Sequence, residues 1–430
     1  MKILVKNGHV VDPKNKIDGV VDIHIDGNQI VHVGNDFDTS YTDADIIDAS
    51  GMIVAPGLLD MHVHLREPGF EYKEDIESGT RSAALGGFTS VACMPNTRPV
   101  IDSAALVQYI LDTAKSVGKV NVYPIGALSK GQHGEELSEI GELKFAGAVA
   151  VSDDGKGVAS AALMRRALQY AHMFDMAVIS HCEEMSLVEG GVANEGYMAT
   201  TLGLRGITPA AEEVMVSRDI ILAENEDVPV HIAHVSTKGS VRLVREAKAR
   251  GVKVTCETCP HYFVLTDSAL EGFDTNAKMN PPLRGEADRL AIIEGLRDGT
   301  IDVIATDHAP HHVDEKNCEF SSAANGIVGL ETALPLAITY LVKTGVLTIS
   351  ELIQKMSVNP AQILGLSKGC LAKGKAADIV IFSPDDKYSI DVAAFASKSK
   401  NSPFGGFEVS GAVQYTIVGG EVVVRQGILL

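Results

Sequence analysis

The chain has 430 residues, of which 45% are hydrophobic and 22% are charged. This length exceeds a single small domain, and this composition excludes a disordered or fibrous protein. Asp and Glu number 56 against 37 Lys and Arg, so the formal net charge is -19. Polyphosphate and anionic lipid repel such an acidic chain, which argues against nucleic acid or a membrane as a partner.

The cysteines and the apolar segments indicate where the protein resides. Six cysteines are spread along the chain, which is typical of reduced, cytosolic usage. Cys256 and Cys259 have redox-like spacing, but no second pair accompanies them. Lys6 interrupts the first apolar run too early for a signal peptide, and the most apolar stretch, 333–342, is too short to span a bilayer. We therefore expect a cytoplasmic protein.

The two ends of the chain have the same pattern. The first fifty or so residues alternate apolar and polar residues in short runs separated by Gly and Asp, which predicts short antiparallel strands. The last part of the chain repeats this style, and runs 3–11 and 417–424 share two apolar pairs around a glycine turn. We predict that residues 1–53 and 370–430 build one small β domain.

Residues 54–369 alternate short apolar runs with longer amphipathic or Ala-rich segments. The eight runs begin at Ile53, Phe88, Val120, Ala146, Ala177, Val228, Val252 and Ile301. Among the intervening segments, we predict helices at 159–172, 209–223, 239–249 and 287–296. Eight successive βα units predict an α/β fold, a (β/α)8 barrel. A doubly wound open sheet is the alternative, although no GxGxxG follows the first strand.

Several of these runs finish with a side chain that can bind a metal, at the end of the strand where barrel enzymes have their active sites. The first run ends in His62 and His64, which point to the same side because strand side chains alternate. The fifth, sixth and eighth runs end at His181, His234 and Asp307. Each of these residues alone is more often an ordinary strand or surface residue than a metal ligand. Together, four histidines and an aspartate suit Zn²⁺ or a similar divalent ion.

Two further charged positions adjoin these strand ends. The fourth run ends in Asp153 and Asp154 before Gly155, which indicates either a simple turn or a carboxylate placed to bridge two metals. Arg66 follows His64 by two residues. It is either a surface arginine or a guanidinium that pairs with a substrate carboxylate.

A polar segment, 313–325, follows the eighth run and has no clear period. Loops at this face of a barrel often cover the active site. We interpret the segment either as a lid or as an ordinary surface loop.

The motifs together resemble those of a known family. The sequences PGLLDMHVHLREPG, MPNT, SDDG, SHCE, MNPPLR and TDHAPH are similar to the amidohydrolase superfamily and, within it, to the class I dihydroorotases of the bacterial type. The resemblance implies a TIM-like (β/α)8 metal-dependent hydrolase barrel and a small β-sandwich formed by both chain termini. It also implies the reversible cyclisation of N-carbamoyl-L-aspartate to (S)-dihydroorotate and water in de novo pyrimidine (UMP) biosynthesis.

The resemblance also implies roles for individual residues. One Zn²⁺, or another divalent metal, would be held by His62, His64 and Asp307, and a second by His181 and His234. Asp154 would bridge the two metals, with Asp153 as the alternative bridge. A metal-bridging hydroxide would be the nucleophile, and Asp307 the general acid and base. Substrate contacts are implied for His64, Arg66, Asn96, Asn280, His311, Asn325 and Gly326.

Other functions remain open at this point. A dihydropyrimidinase, hydantoinase or allantoinase shares the barrel and the two-metal site, but Arg66 and the carboxylate in place of a bridging lysine argue against one. An inactive dihydroorotase-like scaffold subunit is expected to have lost metal ligands, and all the candidate ligands are present. The resemblance further allows a homodimer and an association with aspartate transcarbamoylase.

Overall fold

The computed structural model describes residues 2–35, 41 and 43–430. At its centre lies a sheet of eight parallel strands, each paired with the next one along the chain. These strands are Leu58–Val63, Phe88–Cys93, Asn121–Ala127, Ala150–Ser152, Ala177–Ser180, Val230–Ile232, Val254–Thr258 and Val303–Ile304. Each predicted run contains one of them. Pairing in chain order confirms the predicted barrel, because a doubly wound sheet reverses its strand order.

The barrel closes between its eighth and first strands without a continuous ladder. The His64 N–H donates to the His308 carbonyl at 2.8 Å, and Val63 forms a parallel bridge with His308. Asp60, fully buried in the first strand, accepts the Thr306 N–H at 3.2 Å. Burial raises the pKa of Asp60 to about 7, although these hydrogen bonds lower it. The first and last strands therefore end side by side.

Helices connect the strands and cover the barrel. Four match the predicted segments: Ala161–His172, Ala210–Glu226, Lys238–Ala249 and Glu286–Arg297. The first and third of these begin at a capping side chain, because the Ser160 hydroxyl accepts the Leu163 N–H and the Thr237 hydroxyl accepts the Ser240 N–H.

The remaining helices include many short ones. The other α-helices are Ile76–Leu85, Ala104–Val117, Ile140–Ala146, Met185–Val188, Tyr197–Leu202, Pro260–Val264, Val313–Lys316, Ala333–Ala337, Ile349–Ile353 and Asn359–Ile363. The 3-10 turns are Lys130–Gln132, Asp267–Phe273, Thr275–Ala277, Phe320–Ser322 and Val392–Ala394, and the π-turns are Ile338–Val342 and Gln354–Val358. Among the described residues, no helix is long and apolar enough to cross a membrane.

Both ends of the chain form a two-layer sandwich. One sheet contains, in spatial order, Gln29–Val33, Ile23–Asp26, Lys2–Lys6 and Asp45–Asp48. The other contains Ile428–Leu429, Glu421–Arg425, Glu408–Val418, Ile379–Ser389, Ile53–Pro56, His9–Asp12 and Ile17–Val20. Ile3 and Ile25 of the first sheet share a buried core with Ile379 and Ile417 of the second. This confirms that the two chain ends build one small β-sandwich. A separate two-stranded ladder joins Ala193–Asn194 and Gly206–Ile207.

The sandwich differs from the prediction in strand direction. Lys2–Lys6 pairs in parallel with Asp45–Asp48, and His9–Asp12 pairs in parallel with Ile53–Pro56, whereas only antiparallel strands were expected. Alternating apolar and polar residues indicate a strand with one buried face, but they carry no information about the direction of its neighbour.

The first predicted run divides between the two parts of the fold. Ile53–Pro56 belongs to the sandwich, and Leu58–Val63 belongs to the barrel. Gly57 separates them, and a Cβ built there would lie 2.1 Å from the Thr89 Oγ1, so no larger residue fits. We propose a division into residues 1–53, 54–369 and 370–430, whose first limit falls inside the strand Ile53–Pro56.

The two closely spaced cysteines lie in the hydrophobic core. Cys256 and Cys259 are fully buried free thiols. Burial raises the pKa of Cys256 to about 12, which opposes formation of the thiolate that metal binding or redox chemistry requires. Their role here is packing.

Candidate metal centre

Four histidines and two aspartates converge at the C-terminal mouth of the barrel. The side chains of His62, His64 and Asp154 place their ligand atoms within 4.8 Å of one another, and so do those of Asp154, His181 and His234. All five side chains are buried. Each group offers three potential ligands, and Asp154 belongs to both groups. Two cations bridged by Asp154 would need this arrangement.

Asp154 lies at the centre of this cluster. Its Oδ1 is 3.4 Å from the His62 Nε2, 3.4 Å from the His234 Nε2 and 3.5 Å from the His181 Nδ1. Its Oδ2 is 3.5 Å from the His64 Nε2. The carboxylate therefore faces all four imidazoles at once.

Asp307 adjoins the first group. Its Oδ1 lies 3.0 Å from the His64 Nε2 and 3.6 Å from the His62 Nε2. Asp153, in contrast, faces away from the cluster, because its carboxylate accepts the backbone N–H groups of Leu128 and Ser129 at 2.9 and 3.0 Å. Of the two adjacent aspartates, only Asp154 has the position of a bridge.

Two unpaired buried atoms give independent evidence that the cluster can bind a divalent cation. The His62 Nε2 and the Asp154 Oδ1 are fully buried and have no hydrogen-bond partner among the described residues, although they face each other at 3.4 Å. Buried polar atoms are costly when they are left unpaired. A cation between them would satisfy both lone pairs, and imidazole and carboxylate are typical ligands of Zn²⁺.

The electrostatics of the cluster also favour positive charge. Burial lowers the pKa of His62, but the carboxylates of Asp154, Glu257 and Asp307 raise it well above the usual value. The same carboxylates keep their charge: burial raises the pKa of Asp154, yet the facing histidines bring it well below its usual range. A site that draws protons onto its histidines also attracts a metal, which would displace those protons on binding.

Three of the four histidines have their second ring nitrogen held by an acceptor. The His62 Nδ1–H donates to the Glu257 Oε1 at 2.5 Å, and the His181 Nε2–H donates to the Glu183 Oε2 at 3.0 Å. The His64 Nδ1–H donates to the Asn96 Oδ1 at 2.9 Å. Each contact fixes the ring proton on the nitrogen that faces away from Asp154. The other nitrogen faces Asp154 and keeps its lone pair for a metal, as is usual for histidine ligands.

Glu257 is expected to control metal affinity. It is fully buried, and its Oε2 also contacts the His231 Nε2 at 3.2 Å. In Glu257→Gln, a neutral amide replaces the charged acceptor of the His62 Nδ1–H, so we expect metal affinity to fall by about 10- to 100-fold. Titration with a competing chelator measures it. Glu331→Gln, a half-buried carboxylate held by Ser82 and Ala396, is the control and should keep wild-type affinity. Equal affinities for the two variants would contradict the assigned role of Glu257.

Three residues of this mouth adopt a backbone conformation that favours glycine. The φ angles of Arg66, His234 and Asp307 are +63°, +32° and +48°. Such conformations cost about 1–3 kcal/mol each, and proteins retain them chiefly where function requires a particular side-chain direction. The strained backbone at these three positions directs their side chains towards the mouth of the barrel.

The predicted anion clamp lies beside the cluster. Arg66 is buried, its Nε–H donates to the Pro310 carbonyl at 3.0 Å, and its Nη2 lies 3.3 Å from the His311 Nε2. The His311 Nε2–H donates to the Asn325 carbonyl at 2.7 Å. Burial, together with the nearby charges of Arg66 and Lys73, lowers the pKa of His311 to about 2, so its imidazole is neutral. Arg66 therefore supplies the positive charge of the carboxylate-binding corner, which we define as Arg66, His311 and Asn325.

Two other predicted substrate contacts have protein partners. The Asn280 Nδ2 donates to both carboxylate oxygens of Glu183 at 3.1 Å. The Gly326 N–H donates to the Lys278 carbonyl at 3.0 Å, and its φ of +123° favours glycine. The structure thus brings the predicted site residues to one mouth, with Asn280 on the side of His181 and Gly326 on the side of His311.

Several residues of the site were missed by sequence reasoning. Glu257, Glu183 and the fully buried His261 were not predicted, and the His261 Nε2 has no hydrogen-bond partner in the part of the chain that the structure describes. Burial lowers the pKa of His261 to about 4, with a further contribution from His234. A usable signal existed for Glu257, because a carboxylate inside the buried strand Val254–Thr258 requires a partner.

Two positions left open by the sequence have defined surroundings. His308 is buried: its Nε2–H donates to the Glu74 Oε2 at 3.3 Å, and its Nδ1 accepts the Gly329 N–H at 3.1 Å. The segment 313–325 contains the helix Val313–Lys316 and the turn Phe320–Ser322, so it is not a structureless loop.

Comparison with known proteins identifies the class first. A (β/α)8 barrel with His and Asp at its strand ends is the architecture of the amidohydrolases, and a profile of the amidohydrolase family matches residues 224–424. L-hydantoinase (dihydropyrimidinase) from Arthrobacter aurescens has a similar structure, with a TM-score of 0.90 and 28% identity over 100% of this chain and 97% of that one. Dihydropyrimidinase from Brevibacillus agri gives a TM-score of 0.85 at 26% identity, over 100% and 96% of the two chains.

More similar relatives identify the family. A profile described as dihydro-orotase-like matches residues 51–240. A dihydroorotase from Acetivibrio thermocellus is 65% identical and one from Ruminiclostridium cellulolyticum is 62% identical, each over 100% of both chains. The chain belongs to the dihydroorotase family.

Proposed function

We propose that the protein is a dihydroorotase, which catalyses the reversible cyclisation of N-carbamoyl-L-aspartate to (S)-dihydroorotate and water in pyrimidine biosynthesis. One observation carries the proposal: a cluster of four histidines and two aspartates shares its barrel mouth with the buried Arg66 and His311. Opening a cyclic amide requires the cluster, and binding a substrate carboxylate requires the arginine.

We propose that the site binds two Zn²⁺, or two similar divalent ions. His62, His64 and Asp307 would hold one, His181 and His234 the other, and Asp154 would contact both. When bound, such ions polarise a carbonyl and lower the pKa of a water molecule towards neutrality.

Asp307 is the proposed general acid and base. Burial raises the pKa of its carboxyl group, but the facing His62 and His64 outweigh burial and lower it, so the group is a carboxylate at neutral pH. In the hydrolytic direction, this carboxylate accepts a proton from the attacking water and gives it to the ring nitrogen that leaves. In the synthetic direction, it removes the proton from the ureido nitrogen and gives it to the carboxyl oxygen that leaves as water.

The remaining proposed residues bind and orient the substrate. Arg66 pairs with the substrate carboxylate, and its burial excludes water that would otherwise weaken the pair. The Asn96 Oδ1 is occupied by His64, which leaves the Asn96 amide N–H groups for the substrate. His311, Asn280, Asn325 and Gly326 complete the proposed set of contacts.

Removal of the guanidinium is expected to weaken substrate binding. In Arg66→Met, the side chain keeps its apolar stem but loses the charge, so we expect KM for dihydroorotate to rise by roughly 10- to 100-fold with a smaller change in kcat. Steady-state kinetics in both directions measures this. Arg66→Lys keeps the charge without the planar fork and should give an intermediate KM. An unchanged KM in Arg66→Met would rule out the clamp.

Substrate selectivity tests the proposed function directly. We expect the metal-loaded protein to release N-carbamoyl-L-aspartate from dihydroorotate and to leave hydantoin and allantoin unchanged. A hydantoinase or dihydropyrimidinase is the alternative, favoured by the TM-score of 0.90 with the Arthrobacter enzyme. Turnover of hydantoin without turnover of dihydroorotate would establish that alternative, and absence of both activities with metal bound would favour an inactive scaffold.

We further propose that zinc is the native metal and that the protein is cytoplasmic. We also propose that it forms a homodimer and associates with aspartate transcarbamoylase. The candidate ligands His62, His64, Asp154, His181 and His234 are all present, which argues against the scaffold.

A further inference from the structure

Two lysines are buried near the mouth of the barrel. Lys278 is 4% exposed and Lys316 is 5% exposed. Neither ammonium group forms an ion pair with a carboxylate among the described residues, and the hydrogen bonds of both go to main-chain carbonyls instead. A buried ammonium group is costly unless its three N–H donors are all satisfied.

Main-chain carbonyls satisfy both ammonium groups. The Lys278 Nζ donates to the carbonyls of Phe320, Ser321 and Ala323 at 2.8, 3.0 and 2.7 Å. It also lies 5.5 Å from the centre of the Phe320 ring. Three carbonyls match the three donors of an ammonium ion, so the side chain of Lys278 fixes the segment 320–323.

Lys316 makes the reciprocal set of contacts. Its Nζ donates to the carbonyls of Thr275, Lys278 and Ala324 at 3.0, 3.2 and 2.7 Å. The Thr275 hydroxyl returns a hydrogen bond to the Lys316 carbonyl at 2.6 Å. The two lysines thus join the segment 275–278 to the segment 316–324 from both sides.

Both joined segments lead directly to proposed substrate contacts. The Lys278 carbonyl accepts the Gly326 N–H as well as the Lys316 ammonium, and Asn280 follows Lys278 by two residues. The neighbouring Asn325 carbonyl accepts the His311 Nε2–H, which lies beside Arg66. A displacement of residues 316–324 would therefore move Asn325, Gly326 and His311 together.

We propose that Lys278 and Lys316 are positioning residues for substrate binding, which hold residues 311–326 against residues 275–280. This inference rests on the proposed function for the identity of the substrate. The lysines act through the backbone and do not contact the reacting atoms. They contribute to KM by keeping the carboxylate-binding corner in place before the substrate arrives.

The test compares three single variants of the metal-loaded, full-length protein: Lys278→Met, Lys316→Met and Lys355→Met. Lys355 is a matched control, because it is 7% exposed and its Nζ donates to the Ile301 carbonyl at 2.6 Å. Lys278→Met and Lys316→Met each lose the hydrogen bonds of one ammonium group. Each variant should raise KM for dihydroorotate roughly tenfold, with kcat within about threefold of wild type. Lys355→Met should keep the wild-type KM.

Amide hydrogen exchange gives a second measurement that does not depend on the substrate. We expect faster exchange at residues 320–326 in Lys278→Met and Lys316→Met, and not in Lys355→Met. A folded Lys316→Met protein with wild-type KM and wild-type exchange at these residues would overturn the proposal. If Lys316→Met does not fold, Thr275→Val removes only the hydroxyl contact to the Lys316 carbonyl, and the same criteria apply to it.

The two proposals fail in different ways. A wild-type protein that binds metal and does not turn over dihydroorotate contradicts the proposed function. In that case, amide hydrogen exchange at Asn325 and Gly326 in the two lysine variants is the only test of the positioning proposal. Raised exchange supports it, and unchanged exchange overturns it.

Discussion

Asp307→Asn is expected to lower kcat for dihydroorotate by about 100- to 10,000-fold while the protein remains folded. General acid–base catalysis by a positioned side chain contributes roughly 10²- to 10⁴-fold, and an amide cannot accept the proton. Asparagine is the sharper replacement because residue 307 has a φ of +48°, a conformation that asparagine tolerates better than alanine. The measurement is steady-state turnover in both directions.

Metal content separates the two roles of Asp307. An asparagine oxygen can still contact a metal, so we expect the variant to retain most of its bound metal, measured by elemental analysis. A near-normal kcat would show that another group moves the proton. Loss of turnover together with loss of metal would show that Asp307 acts mainly as a ligand.

Asp154→Asn is expected to reduce bound metal from two ions per chain to one or fewer, and to abolish turnover with it. The Asp154 carboxylate faces all four histidines with both of its oxygens, whereas an amide has only one oxygen to offer, so at least one of the two proposed ions loses this ligand. The measurements are elemental analysis and turnover on one preparation.

Asp153→Asn is the matched control, because it makes the same chemical change one residue earlier. The Asp153 carboxylate accepts the Leu128 and Ser129 N–H groups, so its loss should reduce stability by about 1–3 kcal/mol and leave two metals bound. Thermal unfolding measures the first effect and elemental analysis the second. If Asp153→Asn loses metal and Asp154→Asn retains it, the bridge has been assigned to the wrong aspartate.

The sequence carried enough information to predict the barrel and the split sandwich. The eight apolar runs and four of the helices lie where periodicity placed them, because buried parallel strands read as continuous apolar runs. Strand direction in the sandwich was not predictable, since Lys2–Lys6 has the same alternation beside a parallel or an antiparallel neighbour. The break at Gly57 was missed because no polar residue separates Ile53–Pro56 from Leu58 and Leu59, so the two strands read as one apolar run.

The candidate ligands were predictable for a different reason. His62, His181 and His234 each end an apolar run, and strand ends meet at one mouth of a barrel. Glu257 and Lys316 were missed because their role depends on partners distant in sequence: Glu257 pairs with a histidine 195 positions away, and Lys316 with carbonyls of another segment. Such pairings are tertiary, and no local pattern reveals them.

The strand Ile53–Pro56 has a consequence for the order in which the chain folds during synthesis. It lies between His9–Asp12 and Ile379–Ser389. Each barrel strand pairs with the next one to leave the ribosome, so the barrel can assemble progressively. Ile53–Pro56, in contrast, receives its second neighbour, Ile379–Ser389, only after some 380 residues have been made. The sandwich is therefore the last part of the molecule to be completed, and one edge of Ile53–Pro56 stays without its partner strand until then.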